Sequence, residues 1–295
     1  MVKQNLLSGS NVSIKDSLGG MCIIEHAKDV STVPLTAKAE YFAAKMNINR
    51  RQLLINLADD GYTIQAGAMQ WMSGKVAATT GVKGVGDFIG KLASSAVTKE
   101  SAIKPEYVGT GQLMLEPTYR HIILTDVADW GGQVVLDDGL FLACDSRLKL
   151  KTVARSNISS AVFGKEGLFN LSLVGEGVVA LESIVPKEEL IEIELKDDVM
   201  KIDGNMAIAW SGSLSFTVEK AGKSLIGSAA SGEGLVNVYR GTGKIWMAPV
   251  MASTFGAGVT NISENASLGR TGSAAGKRDI GGTVEKLAGV MDIFK

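Results

Sequence analysis

Short runs of alternating hydrophobic and polar residues follow one another along most of this chain, separated by glycine-containing turns. Representative runs are GMCIIEH near the start, GGQVVLDDGLFLACDS in the middle and GLVNVYR towards the end. A period of two places apolar side chains on one face of a β-strand. The pattern therefore predicts an all-β protein of short strands, and 35 glycines against 5 prolines agree with many tight turns.

Three Gly-x-Gly elements recur at equal spacing, and each leads directly into an apolar run. They begin at Gly109, Gly175 and Gly241, each start lying 66 residues after the previous one. Equal spacing of a landmark indicates internal repetition. A dinucleotide-binding loop would continue through a third glycine into a helix, whereas the residues that follow here alternate as in a strand. We therefore interpret these glycines as architectural, serving bends between strand segments: Gly109, Gly111, Gly175, Gly177, Gly241 and Gly243.

Each repeat also carries a turn between two alternating runs. The turns centre on Ala66-Gly67, Asp138-Gly139 and Asp203-Gly204, where glycine and aspartate tolerate positive φ. The sequence thus predicts three tandem repeats of a short β-sandwich that resembles a double-stranded β-helix. A pseudo-threefold axis is expected to relate the three repeats. The predicted boundaries are an N-terminal extension with one strand at 1–48, repeats at 49–130, 131–195 and 196–252, and a Gly/Ser/Ala-rich tail at 253–295.

Two segments depart from the repeat. Residues 73–101 read as a glycine-rich insertion in the first repeat, with a short amphipathic helix around Asp87–Ala96, and we expect a mobile connection or a lid there. Near the C-terminus, apolar residues recur at helical spacing after Thr283 and predict a docked terminal helix. These residues are Val284, Leu287, Met291 and Phe294.

Composition narrows the classes of function. A formal charge of −1 and a pI near 6.2 argue against a globally basic nucleic-acid-binding protein. Two cysteines, Cys22 and Cys144, cannot build a disulfide framework or a cysteine-rich metal site. The start of the chain lacks a secretory or transit pattern, and no run reaches the ~18 apolar residues of a membrane span. We expect a cytoplasmic protein.

Few residues are candidates for chemistry. Neither His26 nor His121 has a metal-ligating partner at useful spacing, and the nucleophile-elbow pattern Gly-x-Ser-x-Gly is missing. Three acidic pairs fall where we expect turns: Asp59-Asp60, Asp137-Asp138 and Asp197-Asp198. Aspartate favours turns because its side chain hydrogen-bonds the nearby backbone and because it tolerates positive φ. The sequence therefore predicts no catalytic residue, no metal site and no cofactor.

The segment SRLKLKTVAR is the best candidate for binding. Arg147, Lys149 and Lys151 alternate with leucines, so three positive charges are expected on one face of a strand. Such a stripe could contact the phosphates of RNA. The alternative is a solvated edge strand whose charges prevent it from pairing with other chains.

Together these features resemble the family named for altered inheritance of mitochondria, known in bacteria as a domain of unknown function. The resemblance rests on the Gly-x-Gly strand entries, on DDGLFLA and GEGLVNVYRGTGKIWMAP, and on the glycine-rich insertion, and it covers roughly Asn49–Ala252. It implies a fold like the tryptophan-activated RNA-binding attenuation protein, with one chain standing for three subunits and chains closing into rings, expected to be trimers. Eukaryotic members are linked to mitochondrial biogenesis, but we expect no mitochondrial targeting segment here.

From these observations we expect a non-enzymatic homo-oligomer that acts as a scaffold or interaction protein, with a protein partner in addition to itself. The alternative is a ring that binds RNA or a small ligand in a regulatory role. A small ligand would occupy a seam between repeats, where Trp71 and Trp210 hold similar places, although packing is the simpler role for these side chains.

Overall fold

The computed structural model describes residues 5–79, 104–154, 169–203, 206–220 and 235–250, and these residues form a mostly β structure of two curled sheets. One helix, α1 (Ala37–Lys45), interrupts the strands, together with short 3₁₀ turns at Val127–Trp130 and Lys187–Glu189. The all-β prediction is therefore confirmed.

Sheet A holds the first half of the described chain and begins with a hairpin. Its strands are β1 (Val12–Leu18), β2 (Met21–His26), β3 (Arg51–Ile64), β4 (Met69–Thr79), β5 (Glu106–Leu115), β6 (His121–Asp126), β8 (Phe141–Asp145) and β11 (Val178–Ser183). Their order is β1-β2-β3-β8-β11-β6, and β5 pairs with the other side of β3 and with β4. All of these pairs are antiparallel.

Sheet B holds most of the second half. Its strands are β7 (Gln133–Leu136), β9 (Lys149–Ala154), β10 (Phe169–Val174), β12 (Ile191–Asp203), β13 (Ala207–Ser211), β14 (Ser215–Lys220) and β15 (Leu235–Met247). Their order is β12-β15-β13-β7-β10-β9, and β14 pairs with the first half of β15. The chain between β6 and β11 crosses between the sheets four times, which ties the two sheets together.

The Gly-x-Gly elements lie where strands bend. Two fall inside the long strands β5 and β15, and the third separates β10 from β11. Gly109, Gly175 and Gly241 have φ of 124°, 128° and 118°, a region that side chains rarely adopt. A Cβ on Gly109 would also lie 2.1 Å from the carbonyl oxygen of Lys75. The backbone of β4 therefore approaches this bend too closely for any other residue.

Two of the three acidic pairs do not lie in turns, contrary to the prediction. Asp59-Asp60 lies within β3 and Asp197-Asp198 within β12, each at a register shift against the partner strand. Asp59 and Asp197 have φ of 65° and 52°. Aspartate tolerates this conformation in a β-bulge as well as in a turn, so the residue type alone did not distinguish them. Asp138-Gly139 does form a turn, as does Ala66-Gly67.

The N-terminal extension contains more structure than the single predicted strand. β1 and β2 form a hairpin, β2 pairs with the first half of β3, and α1 follows. A bulge between Ile14 and Asp16 interrupts the alternation along β1. At the other predicted departure, residues 73–79 continue β4 and pair with β5. The rest of the insertion, including the helix at 87–96, and the terminal helix lie outside the described residues.

Buried side chains cluster at the places where strands from different parts of the chain meet. Met21 and Ile23 of the hairpin pack with Leu53 and Ile55. Further along, Trp130 meets Trp246 edge to face, with ring centroids 4.8 Å apart. The first contacts fix the hairpin on β3, and the contact between the two tryptophans joins the turn after β6 to β15.

Candidate interaction surfaces

The chain contains two sheet junctions with the same register. At the first, β3 meets β8; at the second, β7 meets β13. The first junction pairs Tyr62 with Asp145, Thr63 with Cys144 and Ile64 with Ala143. The second pairs Val134 with Ser211, Val135 with Trp210 and Leu136 with Ala209.

The hydrogen bonds that flank the two junctions also correspond. At the first junction, Gln65 N–H donates to the Leu142 carbonyl (2.8 Å) and Ser146 N–H donates to the Gly61 carbonyl (2.9 Å). At the second, Asp137 N–H donates to Ile208 and Gly212 N–H donates to Gln133, both at 2.9 Å. The two junctions are therefore alike over five consecutive positions of each strand.

Two long strands lack a partner on the side that the junctions use. Among the described strands, β4 pairs only with β5, and β12 pairs only with β15. Met72 of β4 lies opposite Leu113, just as Cys144 lies opposite Val179 and Trp210 opposite Ile245. Each of those three partners is the fourth residue after the first glycine of a Gly-x-Gly element. Met72 is thus the counterpart of Cys144 and Trp210, which receive a partner strand at the junctions.

The same counting identifies the counterpart on β12. Thr63 lies opposite Glu106, Val135 opposite Ser172 and Lys201 opposite Val238, and each of these partners lies three residues before a Gly-x-Gly. Lys201 is therefore the counterpart of Thr63 and Val135, which lie on the other strand of each junction. It is exposed, as is Val199 nearby on the same strand.

The predicted basic stripe is split between a turn and a strand. Arg147 lies in the turn before β9, and its guanidinium binds both carboxylate oxygens of Asp145. Burial acts to raise the pKa of Asp145, but the hydrogen bonds and charge of Arg147 outweigh it and hold that pKa below its usual range. The positive charge of Arg147 is therefore paired with the Asp145 carboxylate.

Lys149 and Lys151 remain exposed on β9, which pairs with β10 and forms one edge of sheet B. Neither lysine forms an ion pair with another described residue. The two side chains lie on one face, at alternate positions of the strand. This arrangement is the one that protects an edge strand from pairing with other chains.

The two histidines lie near the N-terminal hairpin rather than near β9. His26 is within 3.3 Å of both the Gln52 side-chain oxygen and a guanidinium nitrogen of Arg50, and burial, then the Arg50 charge, lowers its pKa. Burial, followed by the charge of Arg51, lowers the pKa of His121 to about 4. Both rings are therefore neutral at pH 7.

His121 and Arg51 line a cavity of about 200 Å³ between β1, β6 and the 3₁₀ turn at Lys187–Glu189. Arg51 is 3% exposed and donates to Glu25 (2.8 Å) and to the backbone and side-chain oxygens of Asn47 (3.0 and 2.9 Å). These bonds join the end of α1 to β3, so the position of Arg51 is fixed by structure.

Helix α1 presents apolar side chains outward. None of its residues is buried, and Leu35 just before it is 92% exposed. Tyr41, Phe42 and Met46 are also exposed. An isolated helix of this length is marginal in water, and clustered exposed apolar groups are typical of an interaction surface.

Within the residues that the structure describes, no three His, Cys, Asp or Glu side chains come together as a metal site. In the same part of the chain, no helix has the length and hydrophobicity required to cross a membrane.

Comparison with known proteins places this β architecture. The model of the family described as mitochondrial biogenesis AIM24 matches residues 44–250. The chain belongs to this family. The match begins near the end of α1, so the AIM24 match excludes the β1-β2 hairpin. The resemblance drawn from the Gly-x-Gly and turn motifs is thereby confirmed.

Two individual relatives agree. An uncharacterized protein of Streptococcus pyogenes serotype M6 is 31% identical over 192 residues, covering 62% of this chain and 75% of that protein. The crystal structure of a Streptococcus pyogenes protein superposes with a TM-score of 0.53 at 25% identity, covering 72% of this chain and 94% of that one. The first relative supports membership of the family, and the second supports the β fold.

Proposed function

We propose that this AIM24-family chain is a non-enzymatic scaffold, built from three copies of one β-unit and assembled into a homo-oligomer through its two open strand edges. The observation that carries the proposal is the pair of matching junctions within the chain. β3 of the first copy pairs with β8 of the second, and β7 of the second pairs with β13 of the third. The matching edge of β12 in the third copy and the receiving edge of β4 in the first remain open among the described strands.

A third junction of the same kind would join two chains. It would pair Met200 with Ser73 of another copy, Lys201 with Met72 and Ile202 with Trp71. Head-to-tail contacts of this type generate closed rings when the rotation per chain closes. The family resemblance supports a trimer as the expected ring.

The chemistry of the receiving edge on β4 supports assembly, whereas the β12 edge carries Lys201 at its centre. Long unpaired strands readily pair with other chains unless charges or bulges protect them. β9 carries the protective pair Lys149 and Lys151, whereas the receiving segment of β4, Met69–Ser73, contains no charged residue. The exposed apolar groups beside α1 would then serve a protein partner of the assembled scaffold.

Native mass spectrometry of protein purified without nuclease tests this function. The proposal predicts a closed oligomer, expected as a trimer, with no additional mass. A monomer at micromolar concentration would contradict it. Extra mass removed by ribonuclease would favour the alternative in which Lys149 and Lys151 contact RNA. A discrete small adduct would instead favour a ligand in the cavity at His121.

A further inference from the structure

β3, β6 and β12 are the first strands of the three thirds of the chain. They differ in what lies on their outer edge, the edge away from β5, β11 and β15. In the first third, β2 lies on this edge, with Met21 paired to Ile55 and Ile23 to Leu53. In the second, β6 pairs only with β11 among the described strands, and the Trp130 indole donates to the Thr125 hydroxyl at 3.1 Å. In the third, no described strand pairs with the outer edge of β12.

The exposure of matching apolar residues also differs between β3 and β12. Leu54 lies opposite Met114, and Glu192 lies opposite Trp246, each partner being the fifth residue after the start of a Gly-x-Gly. Leu53 and Ile191 precede these residues by one position. Leu53 is 0% exposed and Ile191 is 43% exposed. Between β3 and β12, this apolar side chain is buried where β2 extends the sheet and exposed where no described strand does; Ile123, at the matching place of β6, is 2% exposed without an added strand.

We propose that residues 190–195 of β12 and its lead-in accept an extended segment of a partner protein as an additional strand. The proposal uses the correspondence between the three units, on which the proposed function also rests, but it does not require the chains to assemble. The added strand would occupy the place that β2 occupies beside β3. Strand addition at an exposed edge gives affinity through backbone hydrogen bonds and specificity through alternate side chains.

The residues of this edge define the chemistry of the partner. The run EELIEIE at 188–194 contains four glutamates and no basic residue. Ile191 and Ile193 point to one face of the strand, and Glu192 and Glu194 to the other. Glu192 already accepts a hydrogen bond from the Trp246 indole (2.7 Å), whereas Glu194 is exposed and forms no ion pair among the described side chains. The fitting segment alternates apolar and basic residues.

One backbone group reports strand addition directly. Asn56 N–H donates to the Gly20 carbonyl at 2.8 Å, in the loop that leads into β2. Asn56 lies opposite Gln112 and Glu194 opposite Lys244, at matching distances from a Gly-x-Gly. The N–H of Glu194 is therefore expected to point outward, where an added strand would bind it. The N–H of the preceding residue, Ile193, points towards β15 and serves as an internal control.

A short fluorescent peptide of alternating valine and lysine tests the proposal against the full chain by fluorescence anisotropy and hydrogen exchange. We expect saturable binding, slower exchange at the Glu194 amide and no change at Ile193. Glu194→Lys should weaken binding about tenfold, corresponding to a lost and reversed charge contact. Glu176→Lys, the same charge change on a different exposed loop, should leave the affinity unchanged.

Two results would overturn the proposal: no binding of the valine–lysine peptide, or equal binding by wild type and Glu194→Lys. Equal binding of a valine–glutamate peptide would also overturn the proposed charge preference. Native mass spectrometry of the same samples separates this test from that of the proposed function. A monomer that binds the peptide would contradict the scaffold alone, and an assembled oligomer that ignores the peptide would contradict only this inference.

Discussion

Val135 and Trp210 lie opposite one another across sheet B, and this pair sets the register in which β7 and β13 join. Trp210 is also anchored within its own part, because its ring lies 5.4 Å from the ring centroids of both Phe216 and Tyr239. A junction residue held from both sides transmits a fixed geometry. Repetition of such junctions would give a rigid assembly.

Replacing Lys201 with proline should separate the chains. Gly61 and Gln65 direct backbone groups across the first junction, so Thr63, between them, points the same way, and Lys201 is its counterpart. Proline there removes the outward N–H but leaves pairing with β15 intact, as edge strands tolerate. Native mass spectrometry should show single chains. Lys201→Thr removes the same charge but keeps the N–H and should leave the oligomer whole; disruption by both variants would contradict the backbone pairing.

Replacing Gly109 with alanine should destabilise the fold strongly. The new Cβ would clash with the Lys75 carbonyl, and φ of 124° is unfavourable for alanine. We expect a loss of about 3 kcal/mol or more, from backbone strain combined with displacement of β4. Urea unfolding measures the change.

Gly131→Ala is the matched control. Gly131 also has positive φ, at 75°, but a Cβ there meets nothing within 4 Å. We expect a loss of only about 1 kcal/mol. Equal losses at the two glycines would show that close backbone approach at the bend contributes nothing.

The buried position of His121 should make stability depend on pH. Its pKa is about 4 in the folded chain against 6.5 in the unfolded one, so the unfolded chain binds the proton first as pH falls. The stabilisation is present above pH 6.5 and is lost progressively between pH 6.5 and 4. Urea unfolding of wild type and His121→Gln should diverge across this window, with the variant showing the weaker pH dependence. Parallel curves would place the ring in solvent.

Side-chain alternation was sufficient to predict the β class, because it reports burial on one face of each strand. The equal spacing of Gly109, Gly175 and Gly241 singled out three glycines that all have positive φ. Two acidic pairs were wrongly assigned to turns, because a bulge and a turn both use the left-handed conformation that aspartate tolerates. Only the pairing of β3 with β5 reveals that Asp59 lies within a continuous strand.

The N-terminal region could not be predicted in the same way. Helix α1 buries none of its residues, so its sequence has no apolar face set by a core. The bulge between Ile14 and Asp16 shifts the alternation within β1, which hides the strand. Exposed edges were expected, but which strands carry them was beyond prediction, because that follows from which strands pair and not from the composition of β4 or β12.

Disulfide cross-linking across the expected chain–chain junction is a direct test of assembly through the β4 and β12 edges. Met200→Cys with Ser73→Cys places two thiols at a non-hydrogen-bonded antiparallel pair, where Cα atoms lie about 4.5 Å apart and disulfides form. Cys22→Ser removes the accessible native thiol; burial raises the pKa of Cys144 and keeps it unreactive. Assembly through these edges predicts covalent multiples of the chain on a denaturing gel, and none from the out-of-register pair Lys201→Cys and Ser73→Cys. Oxidised chains that stay single, whether unlinked or linked internally, would contradict assembly through these edges.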